Sequence, residues 1–169
     1  MIRIIGAALL VIGFSLIGYV RSKKKKTSLL DVVELIRAMD LMICELEYRK
    51  TSLPELCTFV ANNTTGCISK FFREFGDVLS KNVALSVRDA GAIALESIED
   101  ITMHAKEYVI TLVDSLGAFD VSGQIAEINA VKEESKVALK RKEEKFLLTD
   151  KTDRILWVSL GLVIAIIFI

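Results

Sequence analysis

The chain has 169 residues, of which 52% are hydrophobic, and its 22 basic side chains balance its 22 acidic ones. A single histidine excludes a di-iron helix bundle, because that site needs two Glu-x-x-His units. The zero net charge hides an uneven distribution, since every acidic residue lies between two uncharged apolar segments, residues 4–20 and 155–169.

The first apolar segment is followed at once by Arg21 and by lysines at positions 23–26. Residues 1–20 have the length of about 20 residues that a bilayer-spanning helix needs. A cleaved signal peptide would require small residues at a cleavage site after the apolar run, whereas a basic stretch follows here. We therefore predict an N-terminal transmembrane anchor at 1–20 and a basic juxtamembrane linker at 21–26.

Residues 27–150 are predicted to form one all-α domain, because apolar residues recur at helical spacing and Pro54 is the only proline. A first helix is expected over about 28–49, with a broad apolar stripe on one face. The stripe consists of Leu29, Val32, Val33, Ile36, Met39, Ile43 and Leu46. A second helix should begin near 51–55, where a hydroxyl residue and then a proline are typical of a first turn.

Four further helices complete a bundle of about six. A loop is expected at residues 62–66, where asparagines, threonines and a glycine cluster. The later helices should cover 68–80, 83–98, 101–116 and a segment that starts near Gln124 after a cap at Ser122. No glycine or proline interrupts residues 124–154, so the last helix is expected to continue toward the C-terminal apolar segment.

The C-terminal apolar segment would span roughly 22 Å as a helix, against a hydrocarbon core of ~30 Å. We predict that 151–169 is a hydrophobic membrane helix, which either crosses a locally thinned bilayer or enters it only part-way. Basic residues flank both apolar segments on the side of the middle domain, and such flanks stay in the cytoplasm. The domain 27–150 is therefore expected in the cytosol beside membrane lipid. Nucleic-acid binding is not expected, because the basic residues do not spread across the domain.

The residues with catalytic or metal-binding potential are few. His104 has Asp100 four residues before it, but two potential ligands do not make a metal site. Cys44, Cys57 and Cys67 lack C-x-x-C spacing, and their odd number suits reduced thiols that pack inside a cytosolic domain. The sequence thus indicates no enzyme, no metal and no cofactor. A membrane-tethered enzyme with a cysteine–histidine pair is the catalytic alternative.

Short patterns in a fixed order carry a resemblance to a known family. They comprise Leu35, Met39, Met42, Glu45, Leu46 and Tyr48; then Thr51, Leu53, Pro54 and Glu55; then Leu116, Gly117, Asp120, Gln124 and Ile128; and finally Ser159, Leu160 and Gly161. In this order and spacing the chain resembles the stage III sporulation protein AB family of endospore-forming bacteria. Ser52, Arg49 and Ile43 depart from the proline, glycine and glutamate that the family favours there.

The resemblance implies an all-α domain similar to the cytoplasmic domains of the type II secretion F protein. It also implies a non-enzymatic membrane platform in the secretion-like channel between mother cell and forespore, on the mother-cell side of the outer forespore membrane. The implied partners are a cytosolic secretion-type ATPase, stage III sporulation protein AA, and other membrane proteins of the same complex, with self-association as a further option. A platform of another type II secretion or type IV pilus-like machine is the alternative.

Four residues are predicted to bind the partner because they match the family pattern and are polar types that a core would not select. They are Glu45, Tyr48, Asp120 and Gln124. Structural alternatives exist for three of them. Glu45 can pair with Arg49 at i+4, Tyr48 can cover the end of the first helix, and Asp120 can cap the last helix.

Overall fold

The computed structural model describes residue 13 and residues 27–49, 51–81, 86–116 and 121–168, with side chains in the last range up to 144 and at 155 and 159. All regular structure in these residues is helical and none of them lies in a strand, which confirms the predicted all-α class. The helices are α1 (27–48), α2 (Leu53–Asn63), α3 (Gly66–Ser80), α4 (Val87–Glu96), α5 (Met103–Ser115) and α6 (Val121–Phe168). The predicted anchor, apart from Gly13, and the predicted basic linker fall outside the described residues.

The chain divides into two compact units. Ser28–Leu139 forms one unit, and Met1–Thr27 with Lys140–Ile169 forms the other. Helix α6 is unbroken from Val121 to Phe168, as expected from the absence of glycine and proline in its central part. Among the helices that the structure describes, none reaches both the length and the apolarity of a bilayer span.

Helix α3 supplies the aromatic centre of the unit Ser28–Leu139. Phe71, Phe72 and Phe75 are fully buried. The rings of Phe71 and Phe72 meet edge to face at 5.2 Å, and those of Phe71 and Phe75 stack at 5.5 Å. Helices α2 and α4 both pack against α3, and α5 packs against α4. Because burying a phenylalanine stabilises a fold by about 1.5–3 kcal/mol, the three rings together contribute several kcal/mol.

The row of α1 that enters the core differs from the predicted stripe. Val32, Met39 and Leu46 of that stripe are buried, whereas its Val33 is 40% exposed. Leu35 and Met42 lie outside the stripe and are fully buried. The helix carries two overlapping apolar rows, and both satisfy the i, i+3, i+4 spacing. Packing against the rest of the core selects between them, and periodicity alone does not.

The connection between α2 and α3 consists only of Thr64 and Thr65, so the predicted loop at 62–66 is too long. Side chains satisfy carbonyl groups at the end of α2. Asn63 Nδ2 donates to the carbonyl of Phe59, and Thr64 Oγ1 donates to that of Val60, each at 2.8 Å. Gly66 then opens α3 at a φ of 66°, a conformation that favours glycine.

Helix α1 also supplies a cap for α3. The N-cap residue Thr65 makes no side-chain capping bond. Its backbone N–H instead donates to Oε2 of Glu34 at 3.0 Å. A carboxylate from α1 therefore lies at the positive end of α3, where it stabilises the helix.

Two smaller predictions are wrong. Cys44 is exposed and does not pack in the core, because it lies about 200° around α1 from the buried Met42. Ser122 lies inside α6, which begins at Val121, and so does not precede the helix as a cap.

Candidate functional site

Glu45 ties the end of α1 to the start of α2. The residue is only 7% exposed. One carboxylate oxygen accepts a hydrogen bond from Thr51 Oγ1 at 3.1 Å, and the other lies 3.5 Å from Nη1 of Arg49. The i+4 pair with Arg49 is the structural alternative that the sequence offered. These contacts favour a structural role for Glu45, and its partner-binding role stays a prediction.

Tyr48 has the opposite environment in the last turn of α1. The residue is 81% exposed, so its ring does not cover the end of the helix. Tyrosine is enriched among the residues that dominate binding at protein interfaces, because it offers a large rigid surface with a polar end. Of the predicted partner-binding residues that the structure describes, Tyr48 is the most accessible.

A cleft of about 170 Å³ lies next to this end of α1. Its walls come from the end of α1, the start of α2 and the start of α6. The lining residues are Leu46, Thr51, Leu53, Leu56, Val121 and Gln124. Gln124 is partly buried in this cleft, and Thr51 connects the cleft to Glu45. The structure therefore places Glu45 and Gln124 around Thr51, while Asp120 lies outside the described residues.

A second and larger cleft, of about 290 Å³, runs between α4 and α5. Sequence reasoning did not identify it. Its floor is formed by small and aliphatic residues: Gly91, Ala92, Leu95, Ile110 and Val113. The sequence signal for it is the i, i+3 and i+4 spacing of these residues in two consecutive helices.

One end of this larger cleft is closed by an ion pair. Arg88 Nε lies 2.6 Å from Oδ1 of Asp114. The hydrogen bond to Arg88 holds the pKa of the Asp114 carboxyl below its usual value, and the same bond raises the pKa of Arg88. Both groups are therefore charged at neutral pH.

The thiols and the histidine have ordinary structural surroundings. Burial raises the pKa of the Cys57 and Cys67 thiols to about 12 each, so both are protonated and weakly nucleophilic at neutral pH. His104 is half exposed at the start of α5, and its Nδ1 lies 3.8 Å from Oε2 of Glu107. Within the described ranges, no group of three or more histidine, cysteine, aspartate or glutamate residues is placed to hold a metal ion.

Comparisons with known proteins support the resemblance seen in the sequence. A family profile described as stage III sporulation protein AB matches residues 3–169. A solved structure described as stage III sporulation protein AB superposes with a TM-score of 0.60 at 20% identity, covering 68% of this chain and 92% of that chain. At this identity the likeness shows the shared fold. No curated protein matches the chain. The match over nearly the whole length shows that this chain belongs to the stage III sporulation protein AB family.

Proposed function

We propose that this protein is a non-enzymatic membrane platform of the secretion-like channel between mother cell and forespore. In this proposal its apolar ends lie in the membrane, and its helical domain faces the mother-cell cytosol. The domain couples a cytosolic secretion-type ATPase, stage III sporulation protein AA, to the membrane proteins of the channel. The observation that carries the proposal is the family match over residues 3–169, which includes both apolar ends and the domain between them.

The charge distribution supports this arrangement. Residues 27–135 carry nine basic and eighteen acidic side chains, whereas residues 136–154 carry seven basic and four acidic ones. Basic segments next to apolar segments suit the anionic inner leaflet of a membrane. The acidic bulk of the domain then faces the cytosol, where it is available to a soluble partner.

Within the acidic domain, the end of α1 is the candidate contact with the ATPase. Tyr48 presents an exposed ring there, and Gln124 lines the adjacent cleft. An aromatic side chain beside a small cleft is the arrangement that interface anchors use. Glu45 supports this surface through its contacts with Thr51 and Arg49.

Co-sedimentation tests the contact. The full-length protein is placed in lipid vesicles, and the amount of added ATPase that sediments with them is measured. We expect Tyr48→Ala to lose most of the bound ATPase and to keep the melting temperature of the parent. Val33→Ala on α1 is the matched control, because Val33 is also exposed and lies away from the cleft. Equal binding by the parent and by Tyr48→Ala would overturn the assignment of this surface.

Reporter fusions test the topology separately. A fusion at position 120 should report the cytosol, and fusions at each terminus should report the opposite side of the membrane. The physical reason is that basic residues flank both apolar segments on the side of the domain. A translocated position 120 would contradict the platform orientation, whatever the result with the ATPase.

A further inference from the structure

The cleft between α4 and α5 has an apolar floor with charges at both ends. The two helices are antiparallel neighbours, because Arg88 near the start of α4 pairs with Asp114 near the end of α5. At the other end of the cleft lie Glu96 on α4 and Lys106 on α5. Neither Glu96 nor Lys106 forms an ion pair within the residues that the structure describes. At one end of the cleft the two charges form an ion pair, and at the other end Glu96 and Lys106 do not.

The four charges form a self-complementary pattern. At one end the basic residue is on α4 and the acidic residue is on α5, and at the other end this order is reversed. Consider a second copy placed face to face by a two-fold axis that runs along the helix pair. Because this axis is parallel to the helices, each end of the cleft faces the same end of the cleft in the second copy. It also puts α4 of one copy opposite α5 of the other. Glu96 then faces Lys106 of the second copy, and the reverse contact forms by symmetry.

We propose that the cleft between α4 and α5 is the contact between two copies of this chain, related by this two-fold axis. The interface would close the apolar floor against its own copy and would give each unpaired charge a partner. The Arg88–Asp114 pair needs no rearrangement, since each copy already makes it internally. The result is a four-helix packing in which each helix of one copy lies antiparallel to its neighbour in the other.

The size of the surface sets the strength of the contact. At 1.5 Å per residue, α4 and α5 are roughly 15 and 20 Å long, so the patch is smaller than the ~800 Å² per partner of a standard stable interface. The volume of about 290 Å³ is at the low end for a small-molecule site of roughly 300–1,000 Å³, and the cleft is open. Such an open groove suits the side chains of a helix. Because the contact area is small, the dimer is weak, and chains held close together would populate it most.

Cysteine cross-linking tests the contact and its symmetry. Ala92 is about one turn beyond Arg88, and Ile110 is about one turn before Asp114, so they lie at the same level of the cleft. In the proposed dimer Ala92 of one copy therefore faces Ile110 of the other. Two differently tagged full-length chains are co-expressed, one with Ala92→Cys and one with Ile110→Cys, and treated with a short bismaleimide. Both chains carry Cys44→Ser, since Cys44 is the exposed native thiol.

The control pair replaces Ala92→Cys with Leu30→Cys, which is 53% exposed on α1 and lies outside the cleft. We expect the cleft pair to cross-link several-fold more than the control pair. Glu96→Lys in both chains, or Lys106→Glu in both, should lower the yield by roughly tenfold, because like charges then face each other. Glu96→Lys in one chain with Lys106→Glu in the other should restore it, since opposite charges face each other again.

Three results would overturn the proposal: a yield no higher than that of the control pair, a yield unaffected by charge reversal, or a failure of the complementary pair to restore it. Circular dichroism and melting of each variant confirm that the chains are folded. The Glu96 and Lys106 substitutions are on exposed or half-exposed positions, so the fold should tolerate them. The ATPase is absent from this experiment, so its outcome is independent of the platform proposal.

Discussion

Lys132 on α6 pairs with Asp40 on α1, with Nζ 3.0 Å from Oδ1. The lysine side chain is only 13% exposed, whereas that of the aspartate is 56% exposed. The aliphatic part of Lys132 therefore covers the edge of the core, and its ammonium group reaches the surface at Asp40. The two residues are distant in sequence, but both lie in the unit Ser28–Leu139.

A double-mutant cycle measures this connection. Asp40→Ala should lower the free energy of unfolding by about 1 kcal/mol, because it removes the carboxylate that the ammonium group of Lys132 reaches at the surface. Lys132→Met keeps most of the aliphatic contact and should cost less than about 1 kcal/mol. The double variant should be close to Lys132→Met alone. Strict additivity of the two single effects in chemical denaturation would show that the pair contributes no coupling energy.

Glu45 should behave as a structural residue in the full-length protein. Glu45→Ala removes the acceptor for Thr51 and the partner of Arg49, so we expect a loss of about 1–2 kcal/mol in the free energy of unfolding. Thr51→Val should lose a smaller amount, since it removes only one hydrogen bond. Tyr48→Ala is the matched control on the same helix turn and should melt like the parent. A Glu45→Ala variant of unchanged stability would show that the contacts of Glu45 with Thr51 and Arg49 do not stabilise the fold.

Gly91 is required by the close approach of α4 to α5. A Cβ at this position would lie 2.5 Å from Cγ1 of Val113, which is too close for real atoms. Gly91→Ala should therefore destabilise the protein by about 1–3 kcal/mol, although alanine is the better helix former. Val113→Ala creates the missing space, so the double variant should be more stable than the sum of the two single effects predicts. Thermal melts of the parent, the two single variants and the double variant measure this difference.

Thiol reactivity should separate the three cysteines. Cys44 is exposed and should react with a thiol reagent at pH 8, whereas Cys57 and Cys67 are buried and should react only after unfolding. Titration of the native protein should therefore count one thiol, and titration in denaturant should count all three. The variant Cys44→Ser should count none in the native state. Rapid reaction of a second thiol would mean that the core opens near α2 and α3.

The same thiols predict a pH dependence of stability. Burial raises the pKa of Cys57 from 9.0 to about 12, so the fold prefers the protonated form. Its contribution to stability is fully present below pH 9 and is lost as the pH rises toward 12. Cys57→Ala should lower stability at neutral pH through lost packing but should flatten the decline above pH 9. An equally steep decline in that variant would assign the pH effect to other groups.

The order of the helices was predictable from the sequence, but the partners of particular side chains were not. Periodicity placed α1, α3 and α5 to within about two residues at most of their ends, as the usual fraying of helix boundaries allows. It did not choose between the two apolar rows of α1, so Val33 was placed in the core although it is exposed. The cleft between α4 and α5 depends on how two helices meet around Gly91, and that information is not local.

The candidate site also combines a predictable position in the sequence with side-chain environments that the sequence does not predict. The sequence predicts the same role for Tyr48 and Glu45, since both match the family pattern and are polar types that a core would not select. Their environments are opposite, because one lies 81% exposed and the other 7% exposed. A helix turn brings residues three positions apart near each other, but only packing decides which of the two faces solvent.

The hydrogen bond from Thr65 to Glu34 bears on the order in which the chain folds. Donor and acceptor are separated by 31 positions, so this bond forms only after a long loop has closed. The α2–α3 hairpin has short-range contacts and can collapse early, but the first turn of α3 remains without its acceptor until α1 docks. A fragment that lacks α1 should therefore fray at Gly66, and hydrogen exchange there should report when α1 docks.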